Sequence, residues 1–309
     1  MKGVLITGIT GFTGTHIIEY LSNHIENFHI VGTSRNQDSY INDTKIIRVD
    51  LTRPDEVKDL FNEVDPEYII HLAACIHGNP EEIFNTNVLG TVNLFDAVKD
   101  RALKSVKILV IGSVAQYGVG NKSELCIDEK ASLKPINIYG NSKVSQELLG
   151  YQYYCNYGLN ISGVRTSNLV GPGQSSAFVC SAIARQIVEI EKNQNKNILK
   201  VGNLDPQRDF IDVRDAVDAY WKVINSNRFG EIFNVCSGKS VAVRDILNCF
   251  LDLTDVKPEI LIDSRKNRKV DITRIRYSYD KLKNLTGWNP KKNLKSTLRD
   301  VLEYWRSIL

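Results

Sequence analysis

The chain of 309 residues is 42% hydrophobic and 24% charged, with a net charge of +3. That is an ordinary globular composition, long enough for one large core and a smaller second unit. So slight a positive balance argues against nucleic acid or an anionic membrane surface as partner, and no apolar run approaches a membrane span.

The opening MKGVLITGITGFTG has a lysine and apolar residues, as a leader would, but its regular glycines and missing small-residue cleavage site speak against one. The six cysteines form no CxxC pair and the five histidines no HExxH arrangement, so neither disulfides nor a metal site is expected. The reading is a reduced, cytoplasmic protein without metal. Strands are predicted at 3–7, 29–33, 45–49, 68–73 and 106–111, with helices between them near 14–24, 54–63 and 81–100. Pro54 suits a first helical position and Pro80 a helix entry. This alternation argues for βαβ units and a parallel sheet covered on both faces. A helix over 139–157 and a strand over 159–165 follow. GPGQ (171–174) reads as loop, 178–192 as helix, and 200–213 holds turn chemistry around Asn203 and Pro206. Helices at 213–225 and at the C-terminus close the pattern, the last with Leu294, Leu298, Val301, Leu302 and Trp305 on one face.

The segment GITGFTG follows the first strand and opens a helix. Gly8 suits a tight turn, Gly11 a close approach of backbone to a pyrophosphate, and Gly14 close helix–sheet packing; Phe12 and Thr13 lie within the same turn. The fold class expected is therefore α/β, a Rossmann-type doubly wound parallel sheet over residues 1–165, to which 209–238 return. A smaller, interleaved α+β substrate unit covers 166–309. The second strand ends in TSR (33–35), with no acid to bind a ribose 2′-OH. Arg35 can instead receive a 2′-phosphate, which favours NADP(H) and leaves NAD(H) possible. Asp50 and Leu51, ending the third strand, are candidates to flank the adenine, although Asp50 would equally cap the following helix. Tyr139 and Lys143 share a helix face four residues apart, where an ammonium would lower the phenol's pKa toward working pH. Ser113, at a strand end about 26 residues upstream of the tyrosine, would converge with them where sheets of this kind bind ligands. Asn168 is a ligand or a turn cap, and Arg208 and Arg268 are diphosphate ligands or solvated surface arginines.

Taken together, GxxGxxG, HLAA (71–74), Asn87 in NTNVLG, Ser113, YxxxK, RxxNxxGP and RKVD…GW.P (268–290) resemble the extended short-chain dehydrogenases/reductases acting on nucleotide sugars, almost end to end. FVCSAIARQI (178–187) and VGNLDPQRDFIDVRDAV (201–217) resemble the branch that handles GDP-mannose derivatives. The resemblance implies a catalytic Ser113, Tyr139 and Lys143, and a cofactor site that includes Leu72, Ala73 and Ala74. It implies substrate contacts from Ser113, Asn168, Val179, Arg208 and Arg268, with a GDP-sugar as substrate. It also implies a homodimer through the helices near 81–100 and 139–157, where Phe84, Leu94, Phe95, Leu148, Tyr151 and Tyr154 exceed what one sheet contact needs. Where the branch's dehydratases carry a glutamate, this chain has Ala115, beside Val114, and neither side chain can move a proton. The expectation is NADPH-dependent reduction of the C4 ketone of a GDP-4-keto-6-deoxy-hexose to GDP-D-rhamnose. A C4-epimerase holding NAD and a non-catalytic nucleotide sensor remain alternatives. Leu169 replaces a histidine common after the RxxN segment, which bears on the sugar more than on the reaction.

Overall fold

The computed structural model describes residues 2–36, 38–41, 43–118, 126–193, 196–263 and 275–309. In chain order the first half runs β1 (Lys2–Thr7), α1 (Phe12–His24), β2 (Phe28–Ser34), β3 (Ser39–Ile41), β4 (Thr44–Arg48), α2 (Pro54–Glu63) and β5 (Tyr68–His71). Then come α3 (Pro80–Phe84), a π-helical turn (Asn85–Leu89), α4 (Gly90–Asp100), β6 (Lys107–Ser113), α5 (Ile138–Tyr157), β7 (Asn160–Thr166) and β8 (Asn168–Val170). The remainder is α6 (Val179–Glu191), β9 (Ile198–Val201), β10 (Gln207–Arg208), β11 (Phe210–Asp212), α7 (Val213–Asn225) and β12 (Ile232–Val235). It closes with β13 (Val241–Ala242), α8 (Val243–Leu251), β14 (Glu259–Ile262), α9 (Asp280–Thr286) and α10 (Leu294–Ile308).

Eight strands form one sheet in the order β12-β7-β6-β5-β1-β2-β4-β3. Every pairing in it is parallel except β3 with β4. Alternate residues of the buried strands serve opposite faces. Val4, Ile6 and Leu109 pack with α1 and α7 on one side, and Leu5, Ile69 and Ile108 with α2, α4 and α5 on the other. A separate core joins α6, α8 and α10 through Ile187, Phe250 and Leu298. Strand β12, from the C-terminal half, completes the sheet beside β7, and α7 covers it.

Local chemistry sets the element ends. Asn137 caps α5 by accepting the Gly140 N–H at 2.7 Å, and Gly158 ends it in the left-handed region. The helix predicted over 81–100 is present, capped by Asn79 and Glu82, and runs from α3 through the π-turn into α4 without a break. One expectation needs correcting. Leu94 and Phe95 lie fully inside the core and are unavailable to a partner, whereas Leu148, Tyr151 and Tyr154 are exposed.

Candidate active site

Because β1, β5, β6 and β7 run parallel, their carboxyl ends at Thr7, His71, Ser113 and Thr166 share one edge of the sheet. The glycine turn sits at this edge. Gly8 has φ +68°, and a Cβ there would stand 2.8 Å from Ala73 Cα. A Cβ on Gly14 would come within 2.0 Å of the Ile9 carbonyl oxygen. Gly11 begins α1 with no side-chain cap and no acid in its first turn, so the helix presents its N–H groups to an anion. These residues fit a dinucleotide pyrophosphate. Phe12 and Thr13 open the helix half-buried, with Phe12 edge-on to His16 at 5.3 Å. Ala73 donates its N–H to the Thr7 hydroxyl at 3.2 Å; Leu72 is partly buried beside it, and Ala74 is exposed.

Arg35 is exposed just past β2, close enough to Asp50 to favour its carboxylate. Burial pushes the Asp50 pKa up, but bonds from the Thr52 N–H and hydroxyl, with Arg35 and Arg53 nearby, bring it below its ordinary value. Asp50 does not cap α2, whose N-cap is Arg53. Leu51 is buried, its Cβ close against Gly90.

Ser113 ends β6 and Tyr139 begins α5, and the Ser113 hydroxyl stands near enough to the phenol to favour its ionised form. Burial raises the phenol to about 12, against the lowering effect of that hydroxyl. Lys143 is buried, and desolvation lowers its ammonium to about 7. Its Nζ donates to the Ile111 carbonyl at 2.7 Å and to Gln146 Oε1 at 2.8 Å, and stands 6.0 Å from the Tyr139 ring centroid. The net shift of the phenol is upward rather than the expected lowering, because burial dominates it. The phenol is held as an acid. Val114 and Ala115 occupy the 3₁₀ turn after Ser113 and bring no ionisable group to the edge.

Beneath the triad lies a network that sequence reasoning missed. Gln116 accepts the Ser113 N–H at 2.8 Å and donates to Glu147 at 2.6 Å. Glu147 also receives Arg165 through Nε at 2.8 Å and Nη2 at 2.6 Å. The Ser113 turn, α5 and β7 are thereby tied together. Glu147 stands four residues past Lys143 on the same helix, a spacing that would have flagged it.

Asn168 and Arg208 approach through the parallel β8–β11 pair and through β10. Asn168 donates from Nδ2 to the Asp209 carbonyl at 2.8 Å, and half-buried Arg208 donates to the Gln207 carbonyl at 2.8 Å. Asp209, also missed, is fully buried and receives the Ser167 hydroxyl and the N–H groups of Ser237 and Gly238. Val179 starts α6 exposed, next to Phe178, whose ring lies 6.4 Å from that of His77. Arg268 lies outside the described residues.

A family profile described as GDP-mannose 4,6 dehydratase matches residues 5–301. The chain is 32% identical to GDP-6-deoxy-D-mannose reductase of Pseudomonas aeruginosa, over 98% of this chain and 97% of that protein. It is 28% identical to GDP-6-deoxy-D-talose 4-dehydrogenase of Aggregatibacter actinomycetemcomitans, over 92% of this chain and 91% of that one. Among solved structures, RMD from Pseudomonas aeruginosa complexed with NADPH superposes with a TM-score of 0.89 at 32% identity, covering all of both chains. With its glycine turn and its Ser113, Tyr139 and Lys143 at one edge of the sheet, the chain belongs to the GDP-mannose 4,6 dehydratase family of extended short-chain dehydrogenases/reductases.

Proposed function

We propose that the protein reduces the C4 ketone of a GDP-4-keto-6-deoxy-hexose with NADPH, giving GDP-D-rhamnose. The observation that carries this reading is the placement of Ser113 and Tyr139 together at the sheet edge, with the phenol kept protonated, beside a glycine turn that fits a dinucleotide. The likeness to GDP-6-deoxy-D-mannose reductase supports it. So does Ala115, since elimination of water needs a proton-moving group that neither it nor Val114 carries.

The residues divide the work by chemistry. Gly8, Gly11 and Gly14 admit the pyrophosphate against α1, and Arg35 meets the adenosine 2′-phosphate. NADPH, when bound, supplies the hydride to C4. Tyr139 gives its proton to the oxygen that becomes the alcohol, and Ser113 hydrogen-bonds that same oxygen. Lys143 faces the phenolate left behind and stabilises it. Asn168, Val179 and Arg208 receive the GDP-sugar, with Arg208 at the diphosphate. Residues 1–165 with 209–238 form the cofactor unit, and the rest of 166–309 the sugar-nucleotide unit. The exposed Leu148, Tyr151 and Tyr154 of α5 pair with a second copy, making a cytoplasmic homodimer.

Incubation with GDP-4-keto-6-deoxy-D-mannose and NADPH, followed by determination of the C4 configuration of the product, tests the reading. Oxidation of NADPH with formation of GDP-D-rhamnose is expected. Purification with NAD retained, and no consumption of added NADPH, would reverse it in favour of a C4-epimerase. Light scattering that shows a monomer at micromolar concentration would overturn the dimer.

A further inference from the structure

Gln146 lies on α5 one turn past Lys143 and is completely buried. Its Oε1 accepts from Lys143 Nζ at 2.8 Å and its Nε2 donates to Thr91 Oγ1 at 2.8 Å. An ammonium can only donate, so this amide has one possible orientation. The Thr91 hydroxyl donates to the Asn87 carbonyl at 2.7 Å and so must accept from His71 Nε2 at 2.9 Å. His71 therefore carries its proton on Nε2, and burial keeps the ring neutral, so its Nδ1 accepts from the Thr7 hydroxyl at 2.7 Å. Thr7 Oγ1 in turn accepts the N–H of Ala73, the residue against the glycine turn. From the ammonium on one side and from the turn on the other, the donors converge on the Thr91 hydroxyl, which passes its own proton to the Asn87 carbonyl.

We propose that Gln146 is the positioning residue for Lys143. Its amide oxygen holds the ammonium against β6 and supplies the acceptor that lets a charge persist inside the core. Two of the three ammonium N–H bonds are then committed, to Ile111 and Gln146, and the third is aimed by their geometry. The inference deepens the reductase reading and rests on it. Among the described residues the titratable groups facing Lys143 are Tyr139 on its own helix and His71 on β5. Strand β6 presents the Ile111 carbonyl, and α4 reaches it through Thr91 and Gln146 itself.

The test compares the parent, Gln146→Leu and Gln146→Glu for kcat and KM in NADPH-dependent reduction, from neutral to alkaline pH. Leucine removes the acceptor and glutamate makes it an anion. In Gln146→Leu the alkaline loss of kcat moves down by about one to two pH units, with KM for the sugar nearly unchanged. In Gln146→Glu the same limb moves up. A merely structural role would weaken both proteins without opposed shifts, so coincident limbs or shifts of the same sign overturn the proposal. If Gln146→Leu does not fold, Gln146→Glu decides alone: an upward shift supports the proposal and an unmoved limb overturns it. Failure of the parent to reduce the sugar counts against the reductase reading instead. The pH dependence of NADPH binding to the same proteins, read by nucleotide fluorescence, then still tests Gln146, because that binding involves no sugar.

Discussion

Glu147→Leu removes the acceptor at the centre of the buried network that spans the Ser113 turn, α5 and β7. Its side chain is 11% exposed and that of Arg165 is 6% exposed. In the variant the guanidinium retains the Tyr117 hydroxyl and the Glu129 carbonyl, while its Nε and Nη2 lose their partner. Breaking a buried ion pair from one side costs about 3–5 kcal/mol. With 309 residues and an unfolding entropy of about 2.1 cal/mol/K per residue, the melting temperature falls by roughly 5–8 °C. Thermal unfolding followed by far-UV circular dichroism reads this directly. Arg165→Leu combined with Glu147→Leu strands neither charge, so the double variant loses less than the two single variants summed. Gln116 loses its acceptor in the same variants and with it the fixed hold on the Ser113 N–H, so kcat falls as well. Unaltered melting of Glu147→Leu, or strictly additive losses in the double variant, would refute the reasoning.

Tyr139→Phe removes the acid and lowers kcat by about 10²–10⁴-fold, with NADPH affinity within a few-fold of the parent; a variant at half the parent rate contradicts the role of proton donor. Arg35→Ala weakens NADPH far more than NADH, by about 10–100-fold for a charge-assisted bond to phosphate, and titrations showing equal losses for both cofactors exclude that contact. Lys143 is lowered to about 7 in the fold against its ordinary 10.5, so the unfolded chain binds the extra proton between those pH values and stability rises with pH through that window. Denaturant unfolding of the parent and Lys143→Met should therefore show the parent gaining on the variant from neutral pH to above 10, and parallel curves would deny the lowered ammonium.

The elements that could be read in the sequence were those whose burial leaves a continuous apolar run. β1, β5 and β6 show this because both faces of a parallel sheet are covered. The glycine turn was legible because backbone sterics at Gly8 and Gly14 admit no side chain. Short strands such as β8, β10 and β13 carry no such signal, since their pairing depends on partners far along the chain. The π-turn within the 81–100 helix was likewise invisible, because period alone does not register one inserted residue. At the site, Ser113, Tyr139 and Lys143 stood out by residue type and spacing. Gln116 and Gln146 did not, because a buried amide reads as an ordinary polar residue until its partners are in place. Leu94 and Phe95 misled for the converse reason: an apolar helix face looks the same whether it meets the sheet or another molecule.

Strand β12 and helix α7 reach the main sheet only after the chain has passed through β8, α6 and β9. During synthesis the first 165 residues therefore leave the ribosome with β7 as an open edge and with one face of the sheet bare where Tyr220 and Val223 will pack. An unpaired edge of that kind invites other chains until residue 235 emerges and β12 covers it. The N-terminal part of the sheet cannot mature as an independent leading unit. A fragment ending at Arg165 would expose the apolar sheet face that α7 normally covers, so aggregation is its expected fate. Conversely, the chain passes between the main sheet and the second unit more than once, which leaves no single linker for a protease to cut and separate them.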